Sequence, residues 1–220
     1  MADFNKRLEA KRDHLPDEDD ANLGKYYRNK KGFDNHKSIE YSLKYRKKDL
    51  DAAIDQIGEK QGISVFELAF INQCYLQVIE SRQVTRWSFA VLQAMAFSKP
   101  EGIDKLPRGE IKLKEQKMKE HDARVDKIDQ QIVPVLQEVH ELTLQLHKLL
   151  GMLFQLEYRK NEVHILKELK ERIGDPHDLI TGDGNRELFN KFKIEAINMC
   201  DVLKKKTEAF GELVYGHNVV

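Results

Sequence analysis

Cysteine is almost missing from this chain: Cys74 and Cys200 are the whole supply in 220 residues. Two thiols cannot build a disulfide framework, and without any Cys-x-x-Cys the sequence argues against a structural zinc site. The opening, MADFNKRLEAKRDHLPDEDD, holds no apolar core and does not read as a secretory signal. Apolar runs of about 18 residues, the length a bilayer span needs, are absent too. A soluble intracellular protein, cytoplasmic or nuclear, is the expectation. Net charge is lacking as well, since 37 Lys plus Arg balance 37 Asp plus Glu. That balance speaks against a nucleic-acid or anionic-membrane binder, which carries a net basic face. Glycine (12) and proline (5) are scarce while charged residues reach 34%. Few turns and many charges favour long solvated helices over a sheet.

What is present is helical periodicity. Residues 1–21 read as a polar lead-in. In 22–97, Ile39, Leu43, Leu50, Ile54 and Ile57 share one face, Gly24 and Gly32 weaken the stretch before them, and a second helix starts at Ser64. Ser64 and Glu67 form a Ser-x-x-Glu pair that can satisfy two free N–H groups at that start. This helix has an apolar start, a polar waist (Glu80, Ser81, Arg82) and an aromatic finish at Trp87 and Phe89. Its ends are expected to anchor in a core, with the waist facing neighbours or solvent.

SKPEGIDKLPRG, at 98–109, is a linker with two prolines and two glycines. In 110–173, Ile111, Met118, Val125, Ile132, Val139, Leu146 and Leu153 recur every seven residues, and Ile128, Val135, Leu142, Leu149, Leu156 and Val163 form a second seam. That is a heptad pattern, which needs a partner face within or between chains. Pro134 lies inside it and is expected to kink or divide the helix. A turn-rich loop follows at 174–185, then a last helix in 186–220. The fold class is therefore all-α, an elongated helical bundle with one long heptad-patterned, coiled-coil-like segment.

Residue patterns that carry chemistry are few. His140 and His147 stand two helical turns apart, too far to share one ion, and no His-Glu-x-x-His occurs. The stretch from Asp175 puts Ile180 where a calcium loop needs glycine. Neither a phosphate-binding Gly-x-x-x-x-Gly-Lys nor a Gly-x-Ser-x-Gly elbow is present. Cys74 sits among apolar neighbours that would raise its pKa and leave it inert. A non-enzymatic protein without cofactor or metal is the reading, with protein partners rather than nucleic acid or membrane.

Three segments carry a resemblance: YYRNKKGFDNHKS at 26–38, GISVFELAFI at 62–71 and SRQVTRWSFAVLQAMAF at 81–97. Together they resemble the Ariadne domain, the helical C-terminal region of a subfamily of RING-between-RING ubiquitin ligases. From Asn35 to Phe97 the spacing runs without a gap, with His36, Ser64, Glu67, Phe70, Arg82, Trp87 and Ala90 in place. A weaker likeness covers 153–165 and 197–210. Phe66 stands where the family has tryptophan, Ser81 where cysteine is common, and the heptads before 150 have no counterpart. The RING modules and their catalytic cysteine are missing from this sequence.

The resemblance implies a helical bundle in which His36, Glu67, Phe70, Arg82 and Trp87 are structural. It also implies a non-catalytic part in ubiquitin ligation, as a fragment or stand-alone relative of a ligase. Glu40, Tyr41 and Glu162 would be the partner-binding residues, and a ligase RING module or a cullin the partner. The alternative is a coiled-coil scaffold, homodimeric through its heptads and unrelated to ubiquitin.

Overall fold

A computed structural model describes residues 21–100, 102–103, 106–107, 110–153, 163–182 and 185–216. Among them the chain forms seven helices: α1 (Ala21–Tyr45), α2 (Lys47–Gln61), α3 (Val65–Phe97), α4 (Ile111–Met152), α5 (Val163–Ile173), α6 (Asp178–Thr181) and α7 (Arg186–Gly216). No strand occurs among the described residues, so the all-α expectation holds. None of these helices is long and apolar enough to cross a membrane. The turn-rich stretch after Gly174 is not all loop, because α6 lies within it.

Helix α1 runs unbroken through Gly24 and Gly32, where the sequence alone left its first half in doubt. Gly32 has a packing reason to be there. A Cβ at that position would stand 2.6 Å from the Phe89 ring of α3, so the glycine lets the two helices close. Gly62 then ends α2 at φ +60°, a left-handed conformation that glycine adopts at little cost. Its N–H and that of Ile63 both turn back to the Gly58 carbonyl.

Ser64 caps α3 by accepting the Glu67 N–H at 3.3 Å. The Glu67 carboxylate does not return to Ser64. It pairs instead with Arg186 at the start of α7, 2.9 Å away, so only half of the expected reciprocal box forms. Replacing Ser64 by alanine is expected to cost about 1 kcal/mol, with Ser64→Asp retaining most of that stability. Urea unfolding midpoints would show it, and equal midpoints for Ser64→Ala would rule the cap out.

Helix α3 is the axis of the bundle, with α1, α4 and α7 packed around it. Its 33 residues extend about 50 Å. Leu68, Ile71, Cys74 and Val78 fill its first half, and Phe192, Leu203 and Phe210 of α7 are buried with them. The ends of this helix anchor as expected through Leu68, Phe70, Ile71 and Leu92 but not through every aromatic, and the waist faces its neighbours. Phe66 is 93% exposed and Trp87 54% exposed, while Ser81, Arg82 and Thr85 in the waist are buried. The waist is enclosed because three helices close on it. Its hydroxyls are satisfied within the bundle: Thr85 Oγ1 donates to the Ser81 carbonyl at 2.7 Å, and Ser81 Oγ meets Thr207 Oγ1 of α7 at 3.0 Å.

The heptad helix α4 is continuous for 42 residues and is not divided at Pro134. Proline removes one N–H and leaves the Gln130 carbonyl without its helical donor. Both residues are exposed, so water can donate to that carbonyl in place of the missing N–H. Ile128, Ile132, Val139, Leu146 and Leu149 are buried within the chain, and α4 packs on α3 and α7. Only the start of the seam, Ile111 and Met118, stays exposed, whereas Leu156 and Val163 lie where side chains are not described.

Candidate functional site

Helix α1 has two faces of opposite character. Tyr26, Asn29, His36, Glu40 and Leu43, spaced by three, seven, four and three, are buried. That spacing is one helical stripe, and it faces the bundle. The other side carries exposed Tyr27, Tyr41 and Tyr45 among exposed Lys30, Lys31, Lys37 and Lys44. Tyr41 is 60% and Tyr45 87% exposed, and four positions apart they share one face.

Under that face lies a polar layer. Arg82, 1% exposed, brings its guanidinium to 3.5 Å from His36 Nδ1. A guanidinium only donates, so His36 Nδ1 accepts and its proton sits on Nε2. The His36 ring meets that of His140 on α4 edge-on, with centroids 5.0 Å apart. Burial, then the charge of Arg82 and the nearby His140, pushes His36 down to about 3. Burial and Arg82 push His140 down to about 4, and burial with Arg82, Arg46 and Lys148 does the same to His147. All three imidazoles are neutral near pH 7.

Beside them Glu40 is held from three sides. Lys44 Nζ donates to it at 2.6 Å, Gln83 Nε2 at 2.9 Å, and Arg86 Nη1 pairs with the second oxygen at 2.7 Å. Burial alone would raise this carboxyl. The bonds from Lys44 and Gln83 and the charges of Arg86 and Lys44 outweigh it, and the pKa falls below the usual range. Arg86 in turn lies over the Trp87 ring, 4.9 Å from its centroid, with Phe33 packed edge-on against Trp87.

The anticipated residues therefore divide. His36 and Arg82 come together in the interior, and Phe70 packs against Phe189 and Phe192. Trp87 is half-exposed and shields a buried ion pair instead of anchoring a core. Tyr41 is on the surface, whereas Glu40 is 2% exposed with its carboxylate committed inside the bundle. That placement corrects the assignment of Glu40 to a partner-facing surface. Glu162 lies outside the described residues, as does most of the weaker likeness around it.

Sequence reasoning missed Gln83, Arg86 and His140. The signal was present for Arg86, because Val78, Ser81, Arg82, Thr85, Ser88 and Leu92 continue one helical stripe and Arg86 follows Arg82 by four. Reading only apolar letters hid it.

The layer offers stabilised charges but no assembled nucleophile and base. Cys74 is buried, and its thiol is pushed up by a hydrogen bond with Cys200 and by burial. Among the described residues no group of three or more His, Cys, Asp or Glu could hold a metal ion. No protein-family model, curated protein or solved structure matches this chain.

Proposed function

We propose that this chain is a non-catalytic helical interaction module that acts in or regulates ubiquitin ligation, and that the outer face of α1 is what its partner touches. The observation that carries this is the exposure of Tyr41 and Tyr45 on a helix whose opposite face is locked by buried polar contacts. Tyrosine is enriched at interface hot spots, and two of them on one exposed helix face make a contact patch. The Ariadne resemblance supports the choice of partner. His36 and Arg82, two of the matched residues, lie 46 positions apart in the chain and meet in space. A RING module of a ubiquitin ligase or a cullin is the partner class.

A second reading, a coiled-coil scaffold, draws on exposed Ile111, Leu113 and Met118 at the start of α4. One experiment separates the two. The intact chain and a Tyr41→Ala/Tyr45→Ala variant are used to recover partners from cell extract, read by mass spectrometry. The ubiquitin reading expects ligases or cullins with the native chain and at least a tenfold loss with the variant. Equal recovery with both would remove the tyrosines from the interface. Recovery of this chain alone would favour the scaffold.

A further inference from the structure

A cavity of about 430 Å³ opens between α2, α3, the C-terminal end of α4 and α6. Its lining includes none of the outer tyrosines of α1, and it does not depend on the partner reading. Its walls are apolar: Leu43, Ala53, Leu150, Leu153 and Ile180. The cavity is open on one side, and a ligand that covers its apolar walls gains hydrophobic burial. The chamber has a fixed frame. Tyr75 Oη donates to the Leu43 carbonyl at 2.5 Å, and His177 Nδ1 lies 2.9 Å from the Leu153 carbonyl, so both aromatic rings are tied to the backbone around the opening. A volume in the range of small-molecule pockets, mostly apolar and with a few convergent polar groups, is what a ligand site needs.

The polar groups select the ligand. Arg46, in the turn joining α1 to α2, lines the mouth and forms no ion pair among the described residues. Lys44 and Lys47 are turned to Glu40 and Asp51, which leaves Arg46 as the cationic side chain in the lining, with Asp49 the acidic one. Deeper in, His147 is neutral and makes no hydrogen bond among the described residues. An unpaired guanidinium at the mouth of an apolar chamber fits a carboxylate head on a hydrocarbon body.

We propose that this cavity binds an amphipathic carboxylic acid, its chain lying against Ala53, Leu150 and Ile180 and its carboxylate paired with Arg46. His147 receives or donates a hydrogen bond inside the chamber if the ligand carries a second polar group.

Isothermal titration of the intact protein with decanoate and with decan-1-ol, both below their aggregation limits, tests this. Decanoate is expected to bind at least tenfold more tightly than the alcohol. Arg46→Gln is expected to erase that difference while leaving alcohol binding intact. Ala53→Leu, which fills the chamber, is expected to abolish binding of both. Should Ala53→Leu fail to fold, Ala52→Phe at the exposed rim blocks the mouth instead. Absence of decanoate binding, equal affinity for the alcohol, or binding unchanged in the filled variant would each overturn the proposal.

Discussion

Moving this protein from pH 7.5 to pH 5.0 is expected to cost roughly 5 kcal/mol of folding stability, most of it from three histidines. His36 is held at about 3, and His140 and His147 at about 4, against an ordinary value of 6.5. Each is depressed, so the folded state keeps its imidazole neutral while the unfolded chain takes up a proton. The unfolded state therefore binds more protons, and stability falls as pH drops below 6.5, levelling off only near 3 to 4. At pH 5.0 each fully depressed histidine contributes a loss of about 2 kcal/mol. His140 and His147 give somewhat less, because His140 borders the open groove between α1 and α4 and His147 lines the cavity beside α2. The groups facing the three rings reinforce the effect: Arg82 acts on all of them, with Arg46 and Lys148 also acting on His147. Glu40 does not compensate, since its oxygens are engaged by Lys44, Gln83 and Arg86. Its own depressed pKa adds a further loss only below about 4.5. Urea unfolding at the two pH values measures the drop directly, and His147→Leu is expected to reduce it by about 1.5 kcal/mol. Midpoints that coincide at pH 7.5 and 5.0 would mean the imidazoles are not buried as described.

The same histidines show what a sequence reader can and cannot see. Helix content was legible because Ile132, Val139 and Leu146 repeat at a helical interval and Gly62 marks an end. The partner of that seam was not. A heptad states that an apolar face must be covered, and the same letters serve a second chain or the chain's own α3 and α7. His140, weighed in the sequence as a metal ligand and set aside, faces His36 from a helix more than a hundred positions away. Contacts of that range are set by the crossing of helices and leave no local period. The waist of α3 left two outcomes open, neighbours or solvent, for a different reason. Serine, arginine and threonine there look like a solvated face, but the interior supplies their partners in Thr207, His36 and the helix's own carbonyls. Burial of a polar residue depends on whether its partners arrive, and that is decided by packing. Phe66 is the mirror case, a large apolar residue left in water on the outward side of the first turn of α3, two positions before the fully buried Leu68.

Glu40→Ala is expected to destabilise the protein by about 3 kcal/mol, although no partner contact is lost. The reason is what stays behind. Arg86 is largely buried, its guanidinium lying over the Trp87 ring, and its ionic partner is the Glu40 carboxylate. Removing one member of a buried pair leaves the other charge desolvated and uncompensated, which costs more than the pair itself contributes. Lys44 adds little to this loss, since it is half-exposed and water replaces its bond. A double replacement, Glu40→Leu with Arg86→Met, removes both charges and fills the space with apolar volume. It is expected to regain at least half of the loss, and unfolding free energies of the two singles and the double give the coupling. Additive losses would show that the two side chains act independently. The result bears on any search for partners. A Glu40 variant that fails to bind would be read as an interface mutant, whereas the geometry makes it a folding mutant. Tyr41→Ala, in contrast, removes a side chain already in water, so stability is expected to change by less than about 0.5 kcal/mol. Partner binding lost in Tyr41→Ala with an unchanged unfolding midpoint would therefore place the contact on the outer face of α1. Binding lost only alongside a fallen midpoint would place the effect in the polar layer beneath it.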